Sequence, residues 1–180
     1  MEAELHCRDV LYRISKELDM DITFHTSEGR FNYRVTAIIV DDERLLVMKD
    51  ERFPYYYLPG GRVKMRETAQ DAVLRELQEE LGISAEIIRP LWFNQSFFTE
   101  DVDKEQYHEI CIYYLVDVSR TDLSDRGDCF TCTESEKGEH LSFSWMPFEE
   151  IPQAYLYPEF IKERILRPLP DALECNVEYR

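Results

Sequence analysis

The stretch from Gly60 to Ile83, GGRVKMRETAQDAVLRELQEELGI, constrains the fold more than any other part of the chain. Ala69, Val73, Leu77 and Leu81 recur every four residues and make one apolar stripe, which predicts an amphipathic helix from Thr68 through Leu81. Thr68 followed by Asp71 resembles a capping box with aspartate in the glutamate position. Gly82 stands where a left-handed C-terminal cap is expected. Leu58-Pro59-Gly60-Gly61 interrupts regular structure just before the helix. A helix with one apolar stripe needs an apolar partner. Strand-like segments supply it at residues 32–40 (NYRVTAIIV), 44–49 (RLLVMK), 84–99, 106–118 and 140–147 (HLSFSWMP). Strands and helices do not alternate regularly, so the expected class is α+β, with helices packed on a sheet, and not a doubly wound parallel sheet.

The remainder is less periodic. Leu5, Val10, Leu11, Ile14 and Leu18 predict an amphipathic helix over residues 4–19, and DITFHT predicts a short strand over 21–26. Residues 27–29 read as a turn and residues 50–57 as an aromatic-rich loop. Residues 119–139 are polar and aperiodic and read as a long loop. A helix is expected over residues 158–166, with proline at its first position and Pro168 and Pro170 beyond its end. The last ten residues read as a loose tail. The organisation that follows is an N-terminal extension (1–29), one domain (30–168) and a C-terminal tail (169–180).

The helix also carries glutamates. Glu76, Glu79 and Glu80 fall at i, i+3 and i+4 and therefore project from one face. Leu77 lies about 100° round the helix from Glu76, so the carboxylate face adjoins the buried one. Each exposed like-charge pair at helical spacing costs roughly 0.2–0.5 kcal/mol. Hard divalent cations with oxygen ligands, Mg²⁺ or Mn²⁺, would offset that repulsion.

Overall charge points the same way. With 37 acidic and 21 basic residues the net charge is -16, which lacks the basic footprint of a nucleic-acid binder. Such a protein can hold a phosphate ester only by neutralising it locally, with a few Arg or Lys side chains or with bound cations. No apolar run is long enough to cross a membrane. The first ten residues lack the basic-then-apolar order of a signal peptide, so a cytoplasmic location is expected. Five cysteines, an odd number, suggest reduced thiols. Cys129 and Cys132 form a CxxC, but His108 and His140 are badly spaced to complete a zinc site.

From Gly61 five residues lead to Glu67, and seven more to Arg75-Glu76-Leu77, with Glu79-Glu80 and Gly82-Ile83 after it. This spacing resembles the Nudix box at every defining position. The entry strand Val35 to Val40, the Leu-Pro-Gly-Gly before the box and Ser144-Trp145-Met146 are also similar to Nudix proteins. The resemblance covers about residues 30–168. It implies an α/β/α sandwich with a mixed sheet, and hydrolysis of a nucleoside diphosphate linked to another moiety. It further implies that Glu76, Glu79 and Glu80 ligate metal, with the Gly60 carbonyl as a further ligand. By the same resemblance Arg75 would ion-pair with the box carboxylates and Glu67 would orient the cluster.

The general base is open at this level. Glu76 is the candidate within the box, and Glu100, Glu105 and Glu109 are loop candidates. Glu109 is favoured because it begins a strand after a polar segment, 101–106, expected to be mobile, and lies beside His108, an acid or phosphate contact in that reading. Arg34, Arg52, Arg62 and Lys64 are candidates for holding phosphate. Tyr55, Tyr56, Tyr57, Phe97 and Phe98 are candidates for stacking on a base. The expected partner is a small nucleotide-like substrate. A homodimer is compatible with these readings and is not specified by them. Three other readings compete: a Nudix-fold nucleotide sensor without turnover, a non-catalytic acidic metal-binding module, and an isoprenoid diphosphate isomerase. The last would need an activated cysteine.

Overall fold

A computed structural model describes residues 20–135, 138 and 140–180; the helix expected over residues 4–19 lies outside the described residues. Strand β1 (Thr23–Thr26) turns back into β2 (Gly29–Ile38) as an antiparallel pair. The strand expected over residues 21–26 of the N-terminal extension is thus an outer strand of the main sheet. β2 is buried continuously from Val35 to Ile38, as its apolar run requires. After Ile39 the chain enters a second sheet as β3 (Val40–Asp41) and returns as β4 (Arg44–Lys49). Asp42 and Glu43 make that turn with φ of 47° and 59°, the handedness a two-residue hairpin turn needs.

β5 (Gly60–Arg62) and helix α1 (Ala69–Leu81) follow. Then come the long hairpin β6 (Glu86–Thr99) and β7 (Gln106–Asp117), the pair β8 (Cys129–Thr133) and β9 (His140–Pro147), the short helix α2 (Ile161–Arg164) and β10 (Glu174–Tyr179). The larger sheet runs β1-β2-β7-β6-β10, with β5 also on β2. It is mixed: β2–β7 and β6–β10 are parallel, the other pairs antiparallel. The smaller sheet, β3-β4-β9-β8, is antiparallel.

Helix α1 begins and ends as its sequence predicts. The Thr68 hydroxyl accepts the Asp71 N–H at 3.1 Å. Asp71 does not reach back to the cap backbone but accepts the Thr68 hydroxyl hydrogen at 2.7 Å, so half of the box is replaced by a side-chain pair. Gly82 is left-handed, with φ of 68°, and its N–H donates to the Gln78 carbonyl at 3.0 Å. Ala72, Val73 and Leu77 are fully buried against Val35, Ala37 and Tyr114 of the larger sheet and Phe143 of the smaller one. Burying a leucine of this kind contributes roughly 1.5–3 kcal/mol. On the opposite face Ile161 and Ile165 pack on Ile38, Leu45, Leu91 and Trp92. Helices on both faces of the strands give the expected α/β/α arrangement.

Three expectations change. Residues 119–139 are not one loop: Leu123–Arg126 form a 3-10 turn anchored by buried Leu123, and β8 pairs with β9. Only alternate side chains of β8 pack inward, Phe130 stacking on Phe143 at 5.4 Å, so its sequence reads as polar. Cys129 and Cys132, three apart on a strand, point to opposite faces and do not converge as a metal pair. The tail is not loose either: residues 174–179 add to the edge of β6, in register from Glu174 opposite Trp92 to Tyr179 opposite Phe97. The pairing comes from the exposed β6 backbone, which a mostly polar segment can satisfy without a strong apolar pattern. The helix expected over 158–166 contracts to Ile161–Arg164, with residues 159–160 in turns. No helix among the described residues is long and apolar enough to cross a membrane.

Candidate active site

The glycines before α1 bring backbone and carboxylates into contact. β5 pairs with β2, setting Gly60 opposite Thr36 and Arg62 opposite Arg34. The Gly60 N–H donates to Glu80 Oε2 at 3.0 Å. A Cβ on Gly61 would overlap the Glu76 carboxylate, so only glycine lets that side chain lie along the loop. Gly60 itself has φ of 143°, and a Cβ there would strike the Val35 carbonyl. Gly60→Ala is therefore expected to destabilise the fold by about 1–3 kcal/mol, read as a lower urea midpoint. An unchanged midpoint would show that the loop tolerates a side chain there.

Arg75 organises the acids. It binds Glu67 through two bonds, Nε to Oε1 at 2.7 Å and Nη2 to Oε2 at 3.0 Å. Its Nη1 donates to Glu76 Oε1 at 2.8 Å and to Glu79 Oε2 at 3.0 Å, and Nη2 also reaches the Arg62 carbonyl at 3.0 Å. Glu67 in turn accepts the Lys64 N–H at 2.9 Å. Burial would raise the Glu67 carboxyl, but the bonds from Arg75 and Lys64 outweigh it and hold the group below the usual range. Burial likewise disfavours the charged Arg75, and its contacts with Glu67, Glu76 and Glu79 reverse this and keep it firmly protonated. Glu76 and Glu80 are each only 8 % exposed. Glu76 and Glu79 can share one helix face because a guanidinium bridges them, and Glu80 beside them accepts the Gly60 N–H.

The cluster opens into a cleft of about 790 Å³ whose floor is the larger sheet. Asn32, Glu109 and Ser96 form one row across β2, β7 and β6. Asn32 Nδ2 donates to Glu109 Oε2 at 3.3 Å, and Arg34 Nε stands 4.0 Å from the same oxygen. Arg34 also donates from Nη2 to the Gly60 carbonyl at 3.3 Å, linking floor and glycine loop. Arg62 lines the same cleft, held by Asn32 at 3.2 Å and Asp21 at 3.5 Å. The structure thus brings Gly60, Arg34, Arg62, Arg75, Glu76, Glu79, Glu80 and Glu109 together around one cleft, with Glu67 behind it.

His108 is not part of this group. Adjacent residues on a strand face opposite ways, so the ring sits on the far side of the sheet, stacked on Phe97 at 4.4 Å and edge-on to Phe31 at 5.5 Å. Glu105 turns to His25 at 2.8 Å. Glu100 is consumed in shaping residues 100–105. Its carboxylate accepts the Tyr55 hydroxyl at 2.7 Å and the N–H groups of Val102 and Asp103 at 2.6 and 2.9 Å. Asp101 accepts hydroxyls from Tyr155 and Tyr157, so the polar segment expected to be mobile is tied down at several points. Tyr57 also has an internal partner, donating to buried Asp50 at 2.8 Å. Phe98 lines the cleft, stacked on Tyr107 at 5.1 Å. Cys111 is buried, and burial pushes its thiol up to about 12, so it is not the activated cysteine that the isomerase reading needs.

Sequence reasoning missed several lining residues. Glu134 follows β8 and is 3 % exposed in the cleft wall, near Glu79, whose carbonyl accepts the Ser135 N–H at 3.0 Å. Asn32, Asp50, Tyr157 and Arg180 also line the cleft. Single residues of this kind carry no spacing signal; only the topology collects them.

Among the described residues no three His, Cys, Asp or Glu side chains are arranged to hold a metal ion. Arg75 takes an oxygen each from Glu76 and Glu79, and Arg34 takes the Gly60 carbonyl. The donors nevertheless suit a hard cation in kind: all are oxygens, and two belong to nearly buried glutamates.

Comparison with known proteins agrees with this geometry. The family model described as NUDIX domain matches residues 30–167. An ADP-ribose pyrophosphatase of Methanocaldococcus jannaschii is 33% identical over 97 residues, 52% of this chain and 55% of that protein. An RNA pyrophosphohydrolase of Ruthia magnifica is 26% identical over 163 residues, 83% of this chain and 87% of that protein. This chain spans 41%, 22% and 55% of the lengths of three of the curated relatives it matches. In fold, the crystal structure of a mutator MutT protein from Bacillus halodurans superposes with a TM-score of 0.56 at 17% identity, over 82% of this chain and 90% of that one. With the box residues gathered around one cleft and the family model spanning the sheet and helix that hold them, this chain belongs to the Nudix family.

Proposed function

We propose that this chain hydrolyses a diphosphate linkage in a nucleoside diphosphate derivative, with Mg²⁺ or Mn²⁺ as cofactor. The observation that carries the reading is the meeting of Glu76, Glu79 and Glu80 with the Gly60 loop at the mouth of a cleft that also holds Arg34 and Arg62. Relatives named as an ADP-ribose pyrophosphatase and an RNA pyrophosphohydrolase support the same class of bond. Glu76, Glu79, Glu80 and the Gly60 carbonyl would hold the cation. When bound, a divalent cation supplies charge neutralisation and Lewis acidity at the phosphate oxygens.

The chain's own residues do the rest. Arg75 and Glu67 hold the carboxylates in place. Arg34 and Arg62 neutralise phosphate oxygens from the floor, an arrangement a -16 protein requires. Glu109, beside Arg34 in the cleft, takes the proton of the attacking water. Substrate is a small nucleotide-like molecule lying along the cleft.

A panel of nucleoside diphosphate derivatives, with phosphate products read after incubation with Mg²⁺ or Mn²⁺, tests this reading. Hydrolysis is expected to vanish on exhaustive chelation and return when either metal is restored. Full activity after chelation would sink it. Tight nucleotide binding without product across the panel would favour the sensor role.

A further inference from the structure

The end of the cleft away from the glutamates is aromatic. Tyr55, Phe98, Tyr107 and Tyr157 line it, with Tyr55 edge-on to Tyr157 at 4.9 Å. β10 reaches this end, although it lies beyond residues 30–167, the part matched by the family model. The Arg180 N–H donates to the Phe97 carbonyl at 2.9 Å, continuing the β6 pairing. That anchors the side chain over the rings: the guanidinium lies 3.6 Å from the centroid of Tyr157 and 5.2 Å from that of Phe98. A planar cation therefore already lies over the Tyr157 ring in this end of the cleft, at a distance a stacked nucleobase would also take.

We propose that the Tyr157–Phe98 slot is the base-binding subsite, and that Arg180 occupies it until a planar base displaces it. The substrate class would then be one with an aromatic base at one end, whose stacking has to outcompete the Arg180 contact. From Gly60, opposite Thr36, to Phe98, opposite Tyr107 and thence Arg30, the path is three strand intervals across and six residues along, well beyond the reach of pyrophosphate alone. Aromatic faces bind bases of any kind by stacking, whereas the exposed Arg180 guanidinium is held by cation–π contacts and by the charges of Asp101 and Glu178.

The inference rests on the diphosphate reading for the reaction, but the slot can be tested without bond cleavage. Isothermal titration with AMP and with ribose 5-phosphate compares a ligand that has a base with one that does not. Arg180→Ala is expected to tighten AMP about two- to fivefold, the worth of an exposed cation–π contact, and to leave ribose 5-phosphate unchanged. Tyr157→Leu should weaken AMP at least about fivefold. Tyr157→Phe, which keeps the ring and loses the bond to Asp101, should match the wild type. AMP affinity unchanged or weakened in Arg180→Ala would overturn the proposal, as would equal shifts for the two ligands or no measurable AMP binding to any form. Because no hydrolysis is measured, failure to find a cleaved diphosphate would leave a positive result standing.

Discussion

Glu80→Gln is expected to lower turnover by roughly 10² or more at saturating Mg²⁺, with the fold intact, and Glu79→Gln to do the same. The substitution changes almost no volume. In Glu80 an amide oxygen can still accept the Gly60 N–H, now held by Oε2 at 3.0 Å. What is lost is a negative charge in a site with little water, since Glu80 is 8 % exposed. A cation that gave up its hydration to enter would no longer be compensated there, and phosphate neutralisation would weaken with it. Glu79→Gln removes the same charge, and Arg75 Nη1 can still donate to the amide oxygen as it does to Oε2 at 3.0 Å. Unfolding curves that overlay the wild type would show that the loss is not a loss of structure. Wild-type turnover in both variants, with every substrate found, would mean that the helix carboxylates are not the cation site.

The legible parts were those written as spacing. The glutamates at i, i+3 and i+4, the Thr68 and Gly82 ends of α1 and the paired glycines are local patterns, and the structure keeps them. Glu109 could be placed at a strand start, but not its face; once β7 lay between β2 and β6, the side chain of Glu109 had to enter the cleft and that of His108 had to leave it. β8 and β10 were illegible for another reason. Each packs on one side only, and each is held by backbone bonds to a neighbour, so neither needed the apolar alternation that marks a strand. The polarity of segment 101–106 suggests mobility, yet Glu100 and Asp101 hold it with side-chain bonds that no composition reveals.

Glu109→Gln is expected to lower kcat by about 10²–10⁴ and leave metal affinity nearly unchanged, the signature of a general base that binds no metal. Geometry narrows the field before any measurement. Glu100 has Tyr55 and two backbone N–H groups on its carboxylate, and Glu105 is paired with His25. Among the loop candidates named from sequence, Glu100 and Glu109 both line the cleft, and Glu109 is the one that stands beside Arg34, 4.0 Å away, with its side chain 16% exposed. Arg34 also touches the Gly60 carbonyl, so Glu109 stands one guanidinium from the proposed cation site: close enough to meet an attacking water, yet outside the ligand set. Glu134, 3 % exposed in the opposite wall, is the rival that the topology adds. Parallel kinetics and Mn²⁺ titrations on Glu76→Gln, Glu109→Gln and Glu134→Gln separate the three. Glu76→Gln should weaken both turnover and metal binding, and Glu134→Gln should change kcat by less than about tenfold if it only walls the cleft. An unchanged kcat in Glu109→Gln with a collapse in Glu134→Gln would transfer the role to the loop after β8. A collapse confined to Glu76→Gln at saturating metal would move it onto the helix.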